Sequence, residues 1–295
     1  MIEELTLTNE TLGESIFMDM LTSPYILYEV DLGSIPATLT TSKFVNQIGE
    51  FLTNSSMGMR QISITGYIVG DTFNDIVKRK QKLASIVNPL QDTSLLIGEY
   101  VLDFVATNTI RYSSSYEDNN EVLCKFLISG KAVDPLFKQQ QEIESVVANT
   151  IGKFHFPLII PKDYGIIMGE RQKSLIAKLY NDGQVTVGMK IVIFAKTTVI
   201  NPKIIDINTQ QFIKIDKTLE PGERVVINTD YGNESVRGQK ESDLQDDNYF
   251  RYWNLDSSWI KLPIGETLIR YDAEQNTIDG MEVYIHYSKK YLEVQ

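Results

Sequence analysis

The sequence predicts a mainly β protein with two domains: an N-terminal β-rich domain that carries one amphipathic helix, and a C-terminal β-sandwich. Two patterns support this prediction, because apolar residues recur in period two along most of the chain and turn dipeptides separate the runs at near-regular intervals. The third observation is length, since 295 residues suit about two domains on a guide of ~150 residues each.

Alternating runs predict the strands one by one. In the clearest of them, Ile62, Ile64 and Ile68 alternate with more polar residues, and Gly66 interrupts the run at a predicted bulge. Similar runs predict strands at Tyr100–Ala106, Val122–Ser129, Ser174–Tyr180, Val185–Phe194, Lys203–Ile207, Phe212–Ile215, Arg224–Ile227, Trp259–Leu262, Thr267–Tyr271 and Met281–Tyr287. Turns are predicted between them at Asn181-Asp182-Gly183, Asn201-Pro202, Pro221-Gly222 and Tyr231-Gly232.

One segment has helical spacing instead. A capping box, Thr72-x-x-Asp75, precedes it, and Asn88-Pro89 ends it. Its predicted core face consists of Phe73, Ile76, Val77, Leu83, Ala84 and Val87. Its other face carries Lys78, Arg79, Lys80 and Lys82. These basic residues are either a solvated face or a contact with an acidic neighbouring subunit, for which Lys78, Arg79 and Lys82 are the candidates.

A change in composition predicts the domain boundary. Residues 1–150 have a net charge of −9 and residues 151–295 one of −2, within a total of −11. Between the halves, Gln139–Val147 has a weak helical or linker character. We therefore expect an N-terminal domain over 1–137, a linker over 138–153 and a C-terminal domain over 154–295, each with its own core. The last part, without a convincing helix, has the length and pattern of one β-sandwich.

Composition also excludes several classes of protein. The single cysteine, Cys124, rules out an internal disulfide framework and any multi-cysteine metal site. The acidic balance argues against a nucleic-acid groove. No apolar run reaches the ~20 residues that span a bilayer, and the N-terminus is acidic where a signal peptide is basic. We therefore expect a soluble chain, made in the cytoplasm, with no membrane partner.

The residue types that catalyse reactions give no recognisable pattern. His155 and His286, the two histidines, lie outside any nucleophile motif and are interpreted as structural, and no phosphate-binding loop occurs. The acidic cluster Glu241, Asp243, Asp246, Asp247 and Asn248 lacks the ligand spacing of an EF-hand and is interpreted as a solvated loop. The sequence thus predicts no catalytic residue, no metal site and no cofactor.

An aromatic cluster leaves two interpretations open. It consists of Tyr249, Phe250, Tyr252, Trp253 and Trp259. These side chains either belong to the core and edge of the sandwich, which we favour because alternation buries half of them, or stack on a sugar as in a lectin.

Several stretches in fixed order resemble one known family. They are Arg60-Gln-Ile-Ser-Ile-Thr-Gly-Tyr-Ile68, Leu83-Ala-Ser-Ile-Val-Asn-Pro89, Asn120-Glu-Val-Leu-Cys-Lys-Phe-Leu-Ile128 and Asp134-Pro-Leu-Phe137 in the first half. In the second half they are Tyr180-Asn-Asp-Gly183, Asn201-Pro202, Pro221-Gly-Glu223, Ile227-Asn-Thr-Asp-Tyr-Gly232 and Trp259-Ile-Lys-Leu-Pro-Ile-Gly-Glu266. Together they resemble the distal tail proteins of siphophages, from about residue 25 to the C-terminus. The sequence departs from the family at Thr41–Gly58, where many members carry a Gly-rich turn.

The resemblance implies a structural protein of the virion, at the distal end of the tail. It implies a split-barrel-like N-terminal domain that closes into a homo-hexameric ring, with the helix and a long hairpin bridging neighbouring subunits. It also implies a galectin-like C-terminal sandwich on the outside. Such a baseplate hub joins the tail tube protein to a tail-tip protein and can hold receptor-binding proteins. No reaction is implied.

Two alternatives come from other classes of protein. The first is a carbohydrate-binding module that attaches the phage to the host cell wall through the C-terminal sandwich. The second is a wall-degrading hydrolase, whose paired carboxylates need leave no mark in a sequence. A glycan array tests the first, and zymography on cell walls tests the second.

Overall fold

A computed structural model describes residues 2–45, 48–146, 149–152, 169–172, 176–240 and 246–294. The chain forms two compact units: unit 1 is Met1–Gln140 with Tyr291–Gln295, and unit 2 is Gln141–Lys290. Strands predominate in both units, which confirms the predicted mainly β fold class. Among the described residues, no helix has the length and apolar character needed to cross a membrane.

The secondary structure follows in chain order. The described strands are β1 Glu4–Asn9, β2 Glu14–Asp19, β3 Tyr25–Asp31, β4 Ala37–Ser42, β5 Phe51–Met57, β6 Arg60–Val69, β7 Asp92–Ile97, β8 Tyr100–Ala106, β9 Arg111–Tyr112, β10 Leu123–Ala132, β11 Phe137–Gln139, β12 Ile143–Val146, β13 Asn149–Gly152, β14 Gly169–Gln172, β15 Ile176–Asn181, β16 Lys190–Ala195, β17 Val199–Asp206, β18 Phe212–Lys214, β19 Thr218–Leu219, β20 Arg224–Asn228, β21 Ser235–Gln239, β22 Asp247–Asn248, β23 Gly265–Glu274, β24 Met281–Tyr287 and β25 Lys290–Tyr291. Over the same described ranges, one α-helix, α1, spans Phe73–Ile86, and two short 3₁₀ turns span Tyr249–Tyr252 and Thr277–Gly280.

Seven strands of unit 1 close into a barrel-like sheet. Their order is β8-β7-β1-β2-β3-β6-β10, and β10 pairs back to β8 to close it. Along β6, Ile62, Ile64 and Ile68 are buried as the alternation predicts, and they join one apolar cluster with residues from the other strands and from α1. Closure pairs strands that would otherwise present free edges.

Gly66 does not form the predicted bulge. In the β3–β6 pair the register shifts between Leu27 and Glu29, so the extra residue is Tyr28 on the opposite strand. A Cβ atom on Gly66 would lie 2.6 Å from the Ile26 carbonyl oxygen and 2.6 Å from the Phe126 ring. The close approach of these two neighbours therefore requires glycine at this position.

The helix α1 begins and ends close to the predicted residues. Thr72 is its N-cap, and the Thr72 hydroxyl oxygen accepts a hydrogen bond from the Asp75 backbone N–H at 3.3 Å. The same hydroxyl donates to the Asp75 carboxylate at 2.8 Å, which strengthens the cap. The helix buries Ile76, Leu83 and Ile86 against the barrel.

A buried arginine holds the C-terminal residues of the chain in unit 1. Arg60 is the bulkiest of the fully buried side chains, and its guanidinium lies 4.8 Å from the centre of the Phe137 ring. The Glu293 carboxylate lies 3.7 Å from the same guanidinium. The guanidinium donates hydrogen bonds to the backbone carbonyls of Leu32, Gly33, Pro135 and Leu292.

Unit 2 contains two larger sheets around one core. One has the strand order β12-β24-β16-β20-β21-β22, and the other has β15-β23-β17-β18 with β19 paired to β17. Buried residues of both sheets, such as Ile191 and Ile227 in the first and Ile204 and Ile269 in the second, belong to a single apolar cluster. Two antiparallel sheets that share an apolar core form a β-sandwich, as the sequence predicts.

The predicted turn at Asn201-Pro202 is wrong. Strand β17 runs through both residues, and its pairing with β23 shifts register between Ile200 and Lys203. Asn201 adopts a left-handed conformation with φ 48°, and its side-chain amide donates to Glu274 at 2.9 Å. The two residues therefore form a bulge within a strand, which explains how a proline is accommodated there.

Two other local predictions are also corrected. Trp259–Leu262 is not a strand, because only Leu262 pairs, through two backbone hydrogen bonds with Val187 of 3.0 and 2.8 Å. Gln139–Val147 is not helical in its described part, since β11 ends at Gln139 and β12 pairs with β24 in unit 2. Within the predicted linker, Lys138 and Gln139 therefore lie in a sheet of unit 1, and Ile143–Val146 lie in a sheet of unit 2.

Candidate assembly surface

An isolated β-hairpin is the most exposed element of unit 1. Strands β4 and β5 pair only with each other among the described strands, with Ala37 opposite Met57 and Ser42 opposite Phe51. Every described residue from 37 to 57 is exposed. At the base, the Gly58 N–H donates to the Pro36 carbonyl at 2.7 Å. We call residues 37–57 the arm.

The arm carries large apolar side chains that are exposed in the part of unit 1 that the structure describes. Phe44 stacks on Phe51 with 5.2 Å between ring centres, and Ile48 is fully exposed. The exposed large apolar residues of the arm are Leu39, Phe44, Val45, Ile48, Phe51, Leu52 and Met57. A two-stranded hairpin is marginally stable alone in water, and contiguous exposed apolar surface is typical of a protein interface. The arm therefore has the properties of a segment that another protein surface covers.

The basic side chains of α1 have different environments. Lys78 and Lys82 are exposed, and neither ammonium has a hydrogen bond or an ion pair with any described residue. The Arg79 guanidinium instead donates to the Val69 carbonyl within unit 1. The Lys80 ammonium donates to the Asn119 side chain at 3.1 Å. Of the three predicted contact residues, Lys78 and Lys82 are thus available to a partner and Arg79 stabilises the fold.

Two tyrosines fix the backbone of α1 on the barrel. The Tyr25 hydroxyl donates to the Arg79 carbonyl at 3.1 Å, and the Tyr112 hydroxyl donates to the Lys80 carbonyl at 3.2 Å. Burial raises the pKa of both phenols to about 12, so both stay neutral donors at physiological pH. The basic face of α1 is therefore held in a fixed position, which an assembly contact needs.

Phe73 was predicted to face the core and does not. It is the first residue of α1, and 62% of its surface is exposed, whereas Ile76 one turn later is 1% exposed. Helical spacing alone placed both on one face, but the first turn extends past the apolar cluster of the barrel. Phe73 therefore adds exposed apolar area at the N-terminal end of α1, on the side of the helix opposite Lys82.

The residues considered for chemistry that the structure describes are not brought together in one site. His286 is half-buried in β24, opposite Glu144 on β12 and Lys190 on β16, and His155 lies outside the described residues. Of the acidic cluster, Glu241 and Asp243 also lie outside them, and Asp247 pairs with Arg251 at 2.7 Å. The described residues contain no group of three or more histidine, cysteine or carboxylate side chains placed to hold a metal ion.

The aromatic cluster is divided between core and surface. Tyr249 is buried, and Tyr252, Trp253 and Trp259 pack against the core of unit 2. Phe250 alone stays outside that core, with half of its surface exposed. The favoured interpretation of these residues as part of the sandwich therefore holds for four of the five.

Sequence reasoning did not locate the arm. The resemblance implied a long hairpin without placing it, and the arm coincides with the segment Thr41–Gly58 in which the sequence departs from the family pattern. Threonine and serine with interspersed leucine on both sides of Ile48-Gly49 are a strand–turn–strand signal. The alternation is weak because both faces of the arm are exposed, so no buried face imposes apolar residues at every second position.

Comparison with known proteins supports a tail component in both halves of the chain. The phage tail protein RIFT-related domain family matches residues 24–129, and the siphovirus-type tail component C-terminal domain family matches residues 182–291. The second family bears the name of the SPP1 Dit protein. No curated protein sequence matches significantly.

Solved structures agree in fold over nearly the whole chain. The crystal structure of the SPP1 Dit protein, described as a paradigm of the hub adsorption apparatus in phages that infect Gram-positive bacteria, has a TM-score of 0.65 at 13% identity and covers 97% of this chain and 98% of its own. A chain of the phage P2 baseplate in its activated conformation with Ca has a TM-score of 0.58 at 12% identity and full coverage of both chains. A chain of the phage p2 baseplate with Sr has a TM-score of 0.54 at 12% identity, with 97% of each chain covered.

The matching families and structures are structural proteins of phage tails and baseplates, not enzymes. Family matches in both units, together with a shared fold along the chain, confirm the resemblance predicted from the order of strands and turns. This chain belongs to the siphophage distal tail protein family, and it is a structural component of the phage tail and baseplate.

Proposed function

We propose that six copies of this chain close into a ring through unit 1, at the distal end of the tail, and that the ring joins the tail tube to the tail-tip and receptor-binding proteins. The arm is the observation that carries the proposal. An exposed apolar hairpin on a folded unit requires a cover, and a second copy of the same chain is the partner that is always present at the same concentration.

In a closed ring, the arm of one subunit contacts a different surface of its neighbour. A ring uses heterologous contacts, so each subunit presents two unlike surfaces, one for each neighbour. The arm supplies one of them, and we infer that the surface next to Lys78 and Lys82 contributes to an interface as well. The SPP1 Dit protein is described as a hub, and the other two similar chains belong to baseplates, which agrees with a hub that connects tail components.

Unit 2 is the proposed attachment domain of the hub. The family resemblance implies a galectin-like sandwich for this unit, and the sandwich has an apolar core of its own. We infer that tail-tip or receptor-binding proteins bind to unit 2. We also infer that the protein catalyses no reaction.

Polar substitution in the arm tests the proposal. Leu39→Ser combined with Leu52→Ser should shift the assembly from a ring towards the monomer in light scattering, because each change removes apolar area from the interface at a cost of about 1–2 kcal/mol. Both side chains are exposed in the subunit, so unit 1 should remain folded.

The matched control is Leu255→Ser, the same change at a leucine of unit 2 that is 96% exposed. It should leave the mass of the assembly unchanged. A full ring from the double arm variant would show that the arm does not hold the subunits together.

Charge reversal on α1 tests the second surface. Lys78→Glu with Lys82→Glu should weaken assembly by roughly tenfold at low salt, and the difference should shrink as salt screens the charges. Arg79 is left unchanged because it binds the Val69 carbonyl. Lys190→Glu is the control, because it reverses an exposed lysine of unit 2 that has no ion pair with a described residue. Normal rings with unaltered salt dependence in the α1 variant would assign Lys78 and Lys82 to solvent.

A further inference from the structure

A cavity lies at the edge of the six-stranded sheet of unit 2. It has a volume of about 250 Å³ and lies where β21, β22 and the following 3₁₀ turn meet. Its lining residues are Glu234, Ser235, Val236, Arg237, Asn248 and Phe250. This volume is below the range of ~300–1,000 Å³ of pockets for larger ligands, so the cavity suits a ligand of one ring.

One wall of the cavity is a fixed aromatic ring. The planes of Trp253 and Trp259 lie within 18° and 10° of the Phe250 plane, with ring centres 6.0 and 6.3 Å away. The Phe250 N–H donates to the Asn248 side chain at 3.0 Å, and its carbonyl accepts from the Trp253 N–H at 3.0 Å. The two tryptophan rings and the two backbone hydrogen bonds therefore fix the position of Phe250, while half of its surface is exposed to solvent.

The cavity also has an unmatched positive charge. Within the described part of the chain, the Arg237 guanidinium has neither a hydrogen bond nor an ion pair. The one carboxylate of the lining, Glu234, already accepts from the Lys261 ammonium at 3.0 Å and from the Gly232 N–H at 2.9 Å. Asp247, which lies next to Asn248, pairs with Arg251. In a chain of net charge −11, this arginine thus has no counter-ion among the residues that the structure describes.

Two hydrogen-bonding side chains complete the lining. Asn248 is opposite Arg237 in the β21–β22 register, so both side chains project from the same face of the sheet. The Asn248 side-chain oxygen is occupied by the Phe250 N–H, which leaves its amide nitrogen to donate. Ser235 lies two residues before Arg237 on the same strand face and offers a hydroxyl group.

We propose that this cavity binds a pyranose sugar that carries a carboxylate or a phosphate group. The C–H face of the ring packs on Phe250, the anionic group pairs with the forked guanidinium of Arg237, and sugar hydroxyls bond to Asn248 and Ser235. This binding site is independent of ring formation, since all its residues lie in unit 2.

Calorimetric titration of the full chain tests the site with four probes: methyl glucuronide, glucose 6-phosphate, neutral methyl glucoside and inorganic phosphate. We expect at least one of the two charged sugars to bind at least about tenfold more tightly than both the neutral sugar and inorganic phosphate, because charge-assisted bonds are roughly twice as strong as neutral ones. The charged sugar that binds identifies the anionic group.

Two variants test the ion pair with Arg237 and the packing on Phe250 separately. Arg237→Gln should reduce the affinity for the charged sugar to that for the neutral sugar, and Phe250→Ala should reduce it at least about tenfold. Arg270→Gln and Tyr180→Ala remove an exposed arginine and an exposed tyrosine elsewhere in unit 2 and should bind as the parent does. Trp fluorescence in urea verifies that each variant is folded.

Three results would overturn the site: no heat from either charged sugar, equal affinity for inorganic phosphate or for the neutral sugar, or unchanged binding in both variants. The mass of the assembly is measured on the same samples. A ring that fails to form while the sugar binds, or the reverse, tells the two proposals apart.

Discussion

Replacing Arg60 by methionine should destabilise unit 1 by about 3–5 kcal/mol, the largest single-residue effect expected in that unit. Methionine keeps the packing against Phe137 but removes the donors that four backbone carbonyls share. The hydrogen bond to Leu32 is buried and the other three are partly buried, and carbonyls shielded from water are costly without a partner because they lose water without gaining a hydrogen bond. Glu293→Gln is the control, since its side chain is 57% exposed and the change should cost about 1 kcal/mol or less.

The chain supplies its own probes for this measurement. Cys124 is the single cysteine and is buried in unit 1, so its reactivity with a thiol reagent reports opening of that unit. Trp253 and Trp259, the two tryptophans, lie in unit 2 and report its unfolding by fluorescence. Arg60→Met should accelerate Cys124 labelling strongly. A chain that ends at Lys290 should do the same, because it lacks the Leu292 carbonyl. Labelling at the parent rate in both would show that Arg60 does not hold the fold.

Lys217→Met should destabilise unit 2 by about 3 kcal/mol through a buried network. The Glu223 side chain is 1% exposed, and its carboxylate accepts from Lys217 at 2.6 Å and from the Glu220 N–H at 2.8 Å, and also from the Tyr249 hydroxyl. Removing the ammonium leaves a buried negative charge with two neutral donors. Adding Glu223→Gln should restore part of the loss, because the charge disappears as well.

The matched control is Lys240→Met, which breaks the exposed ion pair with Glu220 and should cost about 1 kcal/mol or less. Urea unfolding followed by Trp fluorescence measures all three variants. Equal losses for Lys217→Met and Lys240→Met would refute the buried network as a source of stability.

The same network predicts a pH dependence. Burial on its own raises the pKa of Glu223, but the hydrogen bonds from Lys217 and Tyr249 outweigh it and hold the pKa below its ordinary value of 4.5. The ionised group therefore stabilises unit 2 above pH 4.5, and this contribution is lost as the pH falls through the lowered value. The stability difference between the parent and Glu223→Gln should accordingly be constant near neutral pH and shrink below pH 4.5.

Sequence periodicity predicted the strands and the helix that bury one face and expose the other. Strands β8 and β24 have the predicted bounds, and α1 begins after the predicted cap, because each buries one face and the alternation or helical spacing records it. Asn201-Pro202 misled the prediction since a proline within a bulge looks like a turn in sequence. The arm left only a weak signal because it buries neither face within the subunit.

Contacts between distant residues left no signal at all. Arg60 and Leu292 are 232 residues apart, and nothing near either position indicates that they meet. The cavity beside Phe250 likewise joins residues of two strands and a turn, of which only Asn248 and Phe250 had drawn attention in the sequence. Residue 137, the predicted end of the first domain, is the first residue of β11, and a fragment cut there also lacks Leu292 and Glu293, two of the residues that Arg60 contacts.

The mass of the intact chain in solution tests the central claim most directly. Light scattering of the purified protein, coupled to size separation, should give six times the 33.6 kDa of one chain, with a single species at low micromolar concentration. The arm variant gives the comparison under the same conditions. A monomer of 33.6 kDa at every concentration, with Cys124 protected and the arm intact, would contradict the ring.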